Sequence, residues 1–388
     1  MSTFAYAGPT TVKVTRISDE PIVSAGVVPG YGPIFNAGVI HHDGRFHLFA
    51  RGVRDGYRRN DGPGDRFLDY ISDILVFTST DGRSYDFQQL LAAGSPNEVF
   101  AYEDPRIQRV RDGGAEHVVM TYTNLPPPGS GLPWRVGVHR LAYENNCFRL
   151  DRTAGGVVGP EGIQDKDAVI FNLRDGRVGL IHRIHPNIQL AIFDTLDQLW
   201  NPPPGYWEAH VANLEEHTII RPAEGALGVG AGAPPLVTED GLLFFFHERG
   251  SDGHYVTKVA LLDDETGRVR MLLAEPIMCP ELLWECVGDV DHVIFLQGAV
   301  LQPDGIIYLT YGAADYCVGA ATVAADEVVN ALRATKSGSA VVPAPVSHGG
   351  MMGGSRMSHS SLRTAPVAPR APAQVGAERA DSAEAAGK

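Results

Sequence analysis

Long apolar runs are missing from this chain. The strongest, such as 242–246, lasts a few residues, far short of the ~20 that a bilayer-spanning helix needs. Positive charge is also scarce: 32 Lys and Arg stand against 46 Asp and Glu, a net charge of −14 with a pI near 5.4. That balance is wrong for a surface that coats nucleic acid or settles on anionic lipid, so neither nucleic acid nor a membrane is an expected partner. It suits a soluble, self-repelling protein, and association into a homo-oligomer stays open. Only four cysteines occur, Cys147, Cys279, Cys286 and Cys317, with no C-x-x-C pair. This argues against a disulfide framework or a zinc site; reduced, mostly buried thiols are expected. The opening MSTFAYAGPT has no basic region ahead of an apolar stretch, so no signal peptide is expected and the expected compartment is the cytoplasm. Sustained 3.6-residue periodicity is absent too. Only the start of the chain and residues 325–332 read as helical, which disfavours sheets wrapped in helices.

What the chain does have is punctuation, with 44 glycines and 27 prolines among 388 residues. An Asp-Gly turn between two apolar runs is a strong hairpin signal. It occurs at Asp43-Gly44, Asp112-Gly113, Asp175-Gly176, Asp240-Gly241 and Asp304-Gly305, in steps of 69, 63, 65 and 64 residues. After each hairpin comes a second pair of strand-like runs, such as ILVFTSTDGRSYDF and YVTKVALLDDETGRVRMLL. Four strands per unit at a near-constant interval read as an all-β fold, a five-bladed β-propeller over residues 1–335. From 336 to 388 the chain turns to SGSAVVPAPVSHGGMMGG and Ala/Pro-rich sequence without periodicity, and a disordered tail is expected.

In a propeller the innermost strand of each blade lines a central channel. Seven or eight residues before the turns stand Asn36, Asp104, Asp167 and Gly232; as far after them stand Arg51, Arg183, His247 and Tyr311. A hairpin brings its ends together, so one rim of the channel becomes a candidate polar pocket. In Glu103-Asp104-Pro105-Arg106 the proline removes a ladder donor and should hold Asp104 extended, able to point into a cavity; an acid–Arg pair closing an ordinary turn is the alternative. Lys166 and Arg183 at opposite ends of one hairpin would sit side by side and could hold an oxyanion; two solvated cations are the alternative. His247 could equally be a buried structural histidine. The run 228–235, GVGAGAPP, lacks dinucleotide spacing and reads as a tight backbone approach. His41, His42 and His47 lack metal-site spacing and read as solvated strand positions.

Taken together, EDPRI at 103–107, KDAVIF at 166–171, HR at 182–183, GAGAPPLVTEDG at 230–241, WECVGDVDHVIFLQGAV at 284–300 and YGAAD at 311–315 resemble the signature of glycoside hydrolase family 130. That is the family of β-mannoside phosphorylases and β-1,2-mannosidases. The similarity runs from about residue 36 to residue 332. It implies a five-bladed propeller with Asp104 as catalytic acid, passing its proton through the sugar's 3-hydroxyl to the glycosidic oxygen. Phosphate would attack the anomeric carbon from the opposite face, giving α-mannose 1-phosphate with inversion. By motif position Lys166, Arg183 and His247 would bind phosphate, and Asn36, Arg51, Asp104 and Asp315 would surround the mannosyl unit. The implied partner is a β-mannoside oligosaccharide, with inorganic phosphate as co-substrate and no metal or other cofactor.

Two departures from the phosphorylase pattern stand out. Gly228 occupies a place that often holds Lys or Arg, and Phe246-His247-Glu248 replaces a Tyr-His-Gly. One cation and one hydroxyl are lost and a carboxylate is gained. That keeps open an inverting β-mannosidase with Glu215, Glu216, Glu224 or Glu248 as base, and a non-catalytic mannoside-binding propeller. Loops 54–67 and 126–134 could border the acceptor subsite.

Overall fold

A computed structural model of the chain describes residues 12–60, 62, 66–95 and 99–335; the expected tail at 336–388 lies outside them. Five antiparallel sheets follow one another along the chain. Blade one holds Tyr31–His42, Arg45–Arg54, Ser72–Ser79 and Asp86–Ala92, and blade two Ala101–Asp112, Ala115–Leu125, Arg135–Glu144 and Cys147–Val158. Blade three holds Lys166–Asn172, Val178–Arg183, Ile188–Phe193 and Thr218–Ile220. In blade four Gly228–Ala231 and Leu236–Thr238 both pair with Gly241–Arg249, followed by Tyr255–Leu262 and Val269–Leu272. Its inner strand is split because Pro234 and Pro235 offer no N–H to the ladder. Blade five is Ile294–Leu301, Ile306–Ala313 and Cys317–Ala324, with Thr15–Arg16 as its outer strand.

Side-chain alternation closes the ring. Successive residues of a strand face opposite sides of a sheet, and here both sides are buried. Along Gly241–Arg249, Phe244 and Phe246 join Val169, Phe171 and Ile181 of blade three, while Leu243 and Phe245 join Ile294, Leu309 and Ala321 of blade five. Similar clusters join blades one and two around Phe49, Tyr122 and Phe148, two and three around Val136, Leu180 and Phe193, and five and one around Tyr308, Ile34 and Leu48. One apolar cluster per junction is what five wedge-shaped sheets need to bury surfaces that none could bury alone.

The N-terminal strand completes blade five. Arg16 donates from Nε to Glu285 Oε1 at 2.6 Å, and from Nη2 to Glu285 Oε2 at 2.8 Å and Cys279 O at 2.8 Å. Tyr311 also donates to Glu285 Oε1, at 2.9 Å, and Glu285 is fully buried.

Several local expectations need correction. Residues 325–335 are helical, but the start is not from Val12 onward, and residues 1–11 lie outside the description. Short helices at Tyr206–Ala212, Leu214–His217 and Leu283–Cys286 were not legible. In blade three the expected second pair of strand-like runs yields one strand, Ile188–Phe193, and a 3-10 turn, Asp197–Leu199, and the fourth strand follows the first two of these helices. His47 is buried, not solvated: it packs on Phe148 and Tyr143, and burial pushes its pKa down to about 4. The four cysteines are free thiols, yet only Cys317 is fully buried. Among the described residues no helix is long and apolar enough to cross a membrane.

Candidate active site

The inner strands of four blades are each interrupted near the same end. Register shifts fall between Phe35 and Ala37, Glu103 and Arg106, Lys166 and Val169, and Leu296 and Gly298. Such bulges insert unpaired residues and re-aim their side chains. At three of them the unpaired residue is left-handed: Asn36 at φ 47°, Asp104 at 55° and Asp167 at 50°. Asn and Asp tolerate this region better than other side chains. Asp104 is therefore not extended, as Pro105 had suggested. The bulge demands a left-handed residue, and that requirement overrides the pre-proline preference.

Two linked clusters result. In the first, Asn36 Nδ2 donates to Asp104 Oδ1 at 2.8 Å, and Arg51 Nη1 lies 3.4 Å from the same oxygen. Arg51 Nη2 also binds Glu103, and its guanidinium lies 4.9 Å from the Phe35 ring and 5.3 Å from that of Tyr70. Asp104 is 2% exposed. Burial raises the pKa of Glu103, with Arg51 opposing and Asp104 reinforcing. Asp315, also left-handed at φ 50°, is pushed up to about 7 by burial and by Asp104 and Glu103, against Arg51. Gly312, in the same YGAAD segment, makes room for Asn36: a β-carbon there would lie 1.8 Å from Asn36 Oδ1.

The second cluster surrounds Asp167, a rim position of the hairpin pattern to which the sequence assigns no role. Arg183 Nε is 3.1 Å and His247 Nε2 3.4 Å from Asp167 Oδ2, and Arg106 Nη2 is 3.5 Å from Oδ1. Burial alone would raise the pKa of Asp167, but Arg183 and Lys166 hold it well below the usual range. Burial lowers His247 to about 4 despite Asp167, so the ring is neutral at pH 7 and the depression of Asp167 there stands on the cations. A β-carbon at Gly230 would lie 2.4 Å from both Asp167 Oδ2 and His247 Nε2. That is the tight approach foreseen in GVGAG, and it lets ring and carboxylate meet. Lys166 and Arg183 are register partners, as the hairpin implied, with Lys166 Nζ 5.4 Å from the Trp134 ring.

Arg106 ties the clusters together. It donates from Nη1 to Asp104 O at 3.0 Å and, across to blade four, from Nε to Gly232 O at 2.8 Å and from Nη2 to Ala231 O at 2.7 Å. Its guanidinium does not pair with the Asp104 carboxylate, so the motif is not an acid–Arg pair closing a turn. Of the residues singled out in sequence, Asn36, Arg51 and Asp104 share the first cluster, with Asp315 close enough to be perturbed by it, and Arg183 and His247 share the second, with Lys166 beside Arg183. Glu103 and Arg106, within two residues of Asp104, were missed in these roles, and Asp167 was legible as a rim position without a role.

Of the four glutamates considered as bases, Glu248 faces away from His247, its strand neighbour, and accepts from Lys258 Nζ at 2.9 Å and Ala223 N at 2.8 Å. Glu215, Glu216 and Glu224 are exposed. Among the described residues no hydrogen bond or ion pair joins any of the four to Asp104, Asp167, Arg183 or His247. Trp134, in loop 126–134, packs on Lys166, and Tyr57 and Phe67 of loop 54–67 pack on Tyr70, which in turn packs on Arg51. A separate cavity of about 510 Å³, lined by Arg135, Trp200, Tyr206 and Trp207 among others, contains none of the site residues. Among the described residues no cluster of His, Cys, Asp and Glu is arranged to hold a metal ion.

Comparison with known proteins gives a consistent picture. The sequence profile of glycoside hydrolase family 130, described as beta-1,4-mannooligosaccharide phosphorylase, matches residues 8–334. A beta-1,4-mannooligosaccharide phosphorylase from Ruminococcus albus is 36% identical over 345 residues, covering 84% of this chain and 92% of the relative. A 1,2-beta-oligomannan phosphorylase from Thermoanaerobacter sp. is 29% identical over 325 residues, covering 80% and 97%. In structure, a beta-1,2-mannobiose phosphorylase from Listeria innocua, solved with beta-1,2-mannobiose, superposes with a TM-score of 0.64 at 19% identity, covering 83% of this chain and 99% of that one. At that identity the structural likeness speaks for the fold.

Proposed function

The chain belongs to glycoside hydrolase family 130 and is a glycoside phosphorylase or glycosidase of that type, and from that premise we propose that it cleaves β-mannosides by inverting phosphorolysis. Asp104 gives its proton through the 3-hydroxyl of the mannosyl unit to the departing glycosidic oxygen. The C1–O bond breaks through an oxocarbenium-like state, a phosphate oxygen bonds to C1 from the opposite face, and α-mannose 1-phosphate leaves with the shortened sugar. Asn36, Arg51 and Asp315 hold the mannosyl hydroxyls, and Lys166, Arg183 and His247 hold phosphate.

The observation that carries this reading is the surplus of cations around a single carboxylate beside the acid. Arg183 and Arg106 lie against Asp167, Lys166 lies beside Arg183, and Arg106 leads back to Asp104. Fixed positive groups lower the repulsion between an incoming dianion and the sugar oxygens, and cost no reorganisation during reaction. Phosphate needs no base, which agrees with Glu248 being spent on Lys258. The test is incubation with β-1,2- and β-1,4-mannobiose with and without inorganic phosphate. Mannose 1-phosphate forming only with phosphate is expected. Free mannose at equal rates in both buffers would point to hydrolysis, and binding without turnover to a lectin-like propeller. Arg183→Ala should raise the KM for phosphate at least about tenfold, a loss of ~1.4 kcal/mol, and leave that for the sugar nearly unchanged. An unaltered phosphate dependence would reassign Arg183 to structure.

A further inference from the structure

Behind Arg183 lies a buried chain of polar groups that the reaction above does not use. Asp165 and His182 are fully buried, and His210 is 2% exposed. Asp165 Oδ1 accepts the backbone N–H of Arg183 at 3.2 Å, and Oδ2 meets His182 Nδ1 at 2.8 Å. On the far side His182 Nε2 meets His210 Nε2 at 3.1 Å. His210 sits on the helix Tyr206–Ala212, an insertion between the third and fourth strands of blade three. It stacks on His217 at 4.1 Å, and the Trp207 ring lies edge-on to both His182 and His210.

With one proton on each ring, the proton count fixes the direction of the chain. The Asp165 carboxylate accepts, so His182 carries its proton on Nδ1 and presents a lone pair at Nε2. His210 must then donate from its own Nε2, leaving a lone pair at Nδ1, which is buried with no hydrogen-bond partner among the described residues. Burial pushes the pKa of His210 down to about 3, in keeping with a neutral ring. Packing alone does not call for this arrangement. Apolar side chains in place of Asp165, His182 and His210 together would serve the core as well, since replacing all the partners of a buried hydrogen-bonded group is close to neutral. What the chain does hold is the end of the strand Val178–Arg183. On the other side of Arg183 a second clamp acts: Ile184 N–H donates to Gln189 Oε1 at 2.8 Å, and Gln189 Nε2 donates to Ile184 O at 3.2 Å.

We infer that His210, acting through His182 and Asp165, is a positioning residue that fixes the backbone of Arg183 so that its guanidinium is preorganised for an oxyanion. This rests on the reading of Arg183 as part of the phosphate site. A guanidinium whose anchor drifts binds the anion less well and leaves the sugar cluster unaffected, because only supporting bonds have been removed.

The test pairs calorimetric titration with inorganic phosphate and two-substrate kinetics on β-mannobiose, for the wild type, His210→Ala and His210→Gln. His210→Ala should weaken phosphate binding and raise the phosphate KM about tenfold, with the sugar KM and kcat within about twofold. His210→Gln, which can still offer an N–H to His182, should recover most of the loss. Asp165→Asn tests the same chain from its other end. With a single acceptor oxygen, the new amide either loses the Arg183 N–H or moves the His182 proton to Nε2, the latter visible in the ring 15N shifts, and in both cases the phosphate KM should rise likewise. Unchanged phosphate affinity in His210→Ala and Asp165→Asn would overturn the inference, as would losses falling equally on both substrates and tracking a lowered Tm without rescue by Gln. Failure of the phosphorolysis reading itself is recognised in the wild type alone, which would then bind no phosphate and release free mannose; that result removes both claims.

Discussion

Burial raises the site carboxylates alike, and their charged partners decide which of them stays raised. Asp315, raised from 3.8 to about 7, keeps a proton in the folded protein that the unfolded chain gives up. Its contribution to stability is therefore fully present below 3.8 and is lost as the pH rises through about 7, so unfolding free energy falls across that window. Glu103, also raised, adds to the slope, whereas Asp167 is held low and titrates below it. Asp315→Asn should flatten the slope in denaturant titrations between pH 4 and 7; an unaltered slope would place the raised proton elsewhere. Asp104→Asn should reduce turnover by about 10²–10⁴-fold while changing stability by no more than ~1 kcal/mol. Wild-type turnover in that variant would remove Asp104 from the chemistry. Asn36, Arg51, Asp104, Arg183 and His247 were legible because polar side chains stop apolar runs at similar distances from the Asp-Gly turns, whereas Asp315 was legible only through the family resemblance. Arg106 was not: an arginine beside a proline gives no sign that it will reach blade four. Glu248 misled in the reverse sense, because its buried partner Lys258 lies on the next strand, where no local motif points to it.

Among the elements, the inner strands show what position-two alternation cannot reveal. Hydrophobic pattern fixed their place and direction, but a bulge adds residues that no periodicity announces, and the left-handed conformations of Asn36, Asp104 and Asp167 follow from those bulges. The glycines that complete the site are legible only as a cluster. Gly230→Ala would set a methyl 2.4 Å from Asp167 Oδ2 and His247 Nε2, so a several-fold rise in phosphate KM with the fold intact is expected by circular dichroism and kinetics. An unperturbed phosphate KM would show that the Asp167–His247 approach is not needed. The closing strand Thr15–Arg16 was invisible because two residues carry no pattern. Its hold comes from Arg16 and the buried Glu285. Arg16→Met leaves that buried carboxylate its hydrogen bonds from Tyr311, Glu281 N and Leu282 N but takes away Arg16, and should lower unfolding free energy by about 3–5 kcal/mol in urea titrations. A loss under ~1 kcal/mol would mean that the latch contributes little.

At the scale of the whole molecule, function follows from closure. The first hairpins supply the polar residues, Asn36 and Arg51 from blade one, Asp104 from blade two, Asp167 and Arg183 from blade three and His247 from blade four, with Asp315 just beyond that of blade five, and five apolar junctions join the blades that carry them. The fivefold repeat was readable because hairpin turns recur at nearly equal steps; the insertion carrying His210 was not, since it interrupts one blade without disturbing the count. The account stands or falls on phosphate as the nucleophile, arriving opposite to the proton from Asp104. Following wild-type protein with β-mannobiose and inorganic phosphate by 31P and 1H NMR from the first turnover tests this most directly. The first product should be the α-anomer of mannose 1-phosphate, with none in phosphate-free buffer. A β-anomer, or free mannose released at the same rate without phosphate, would contradict it.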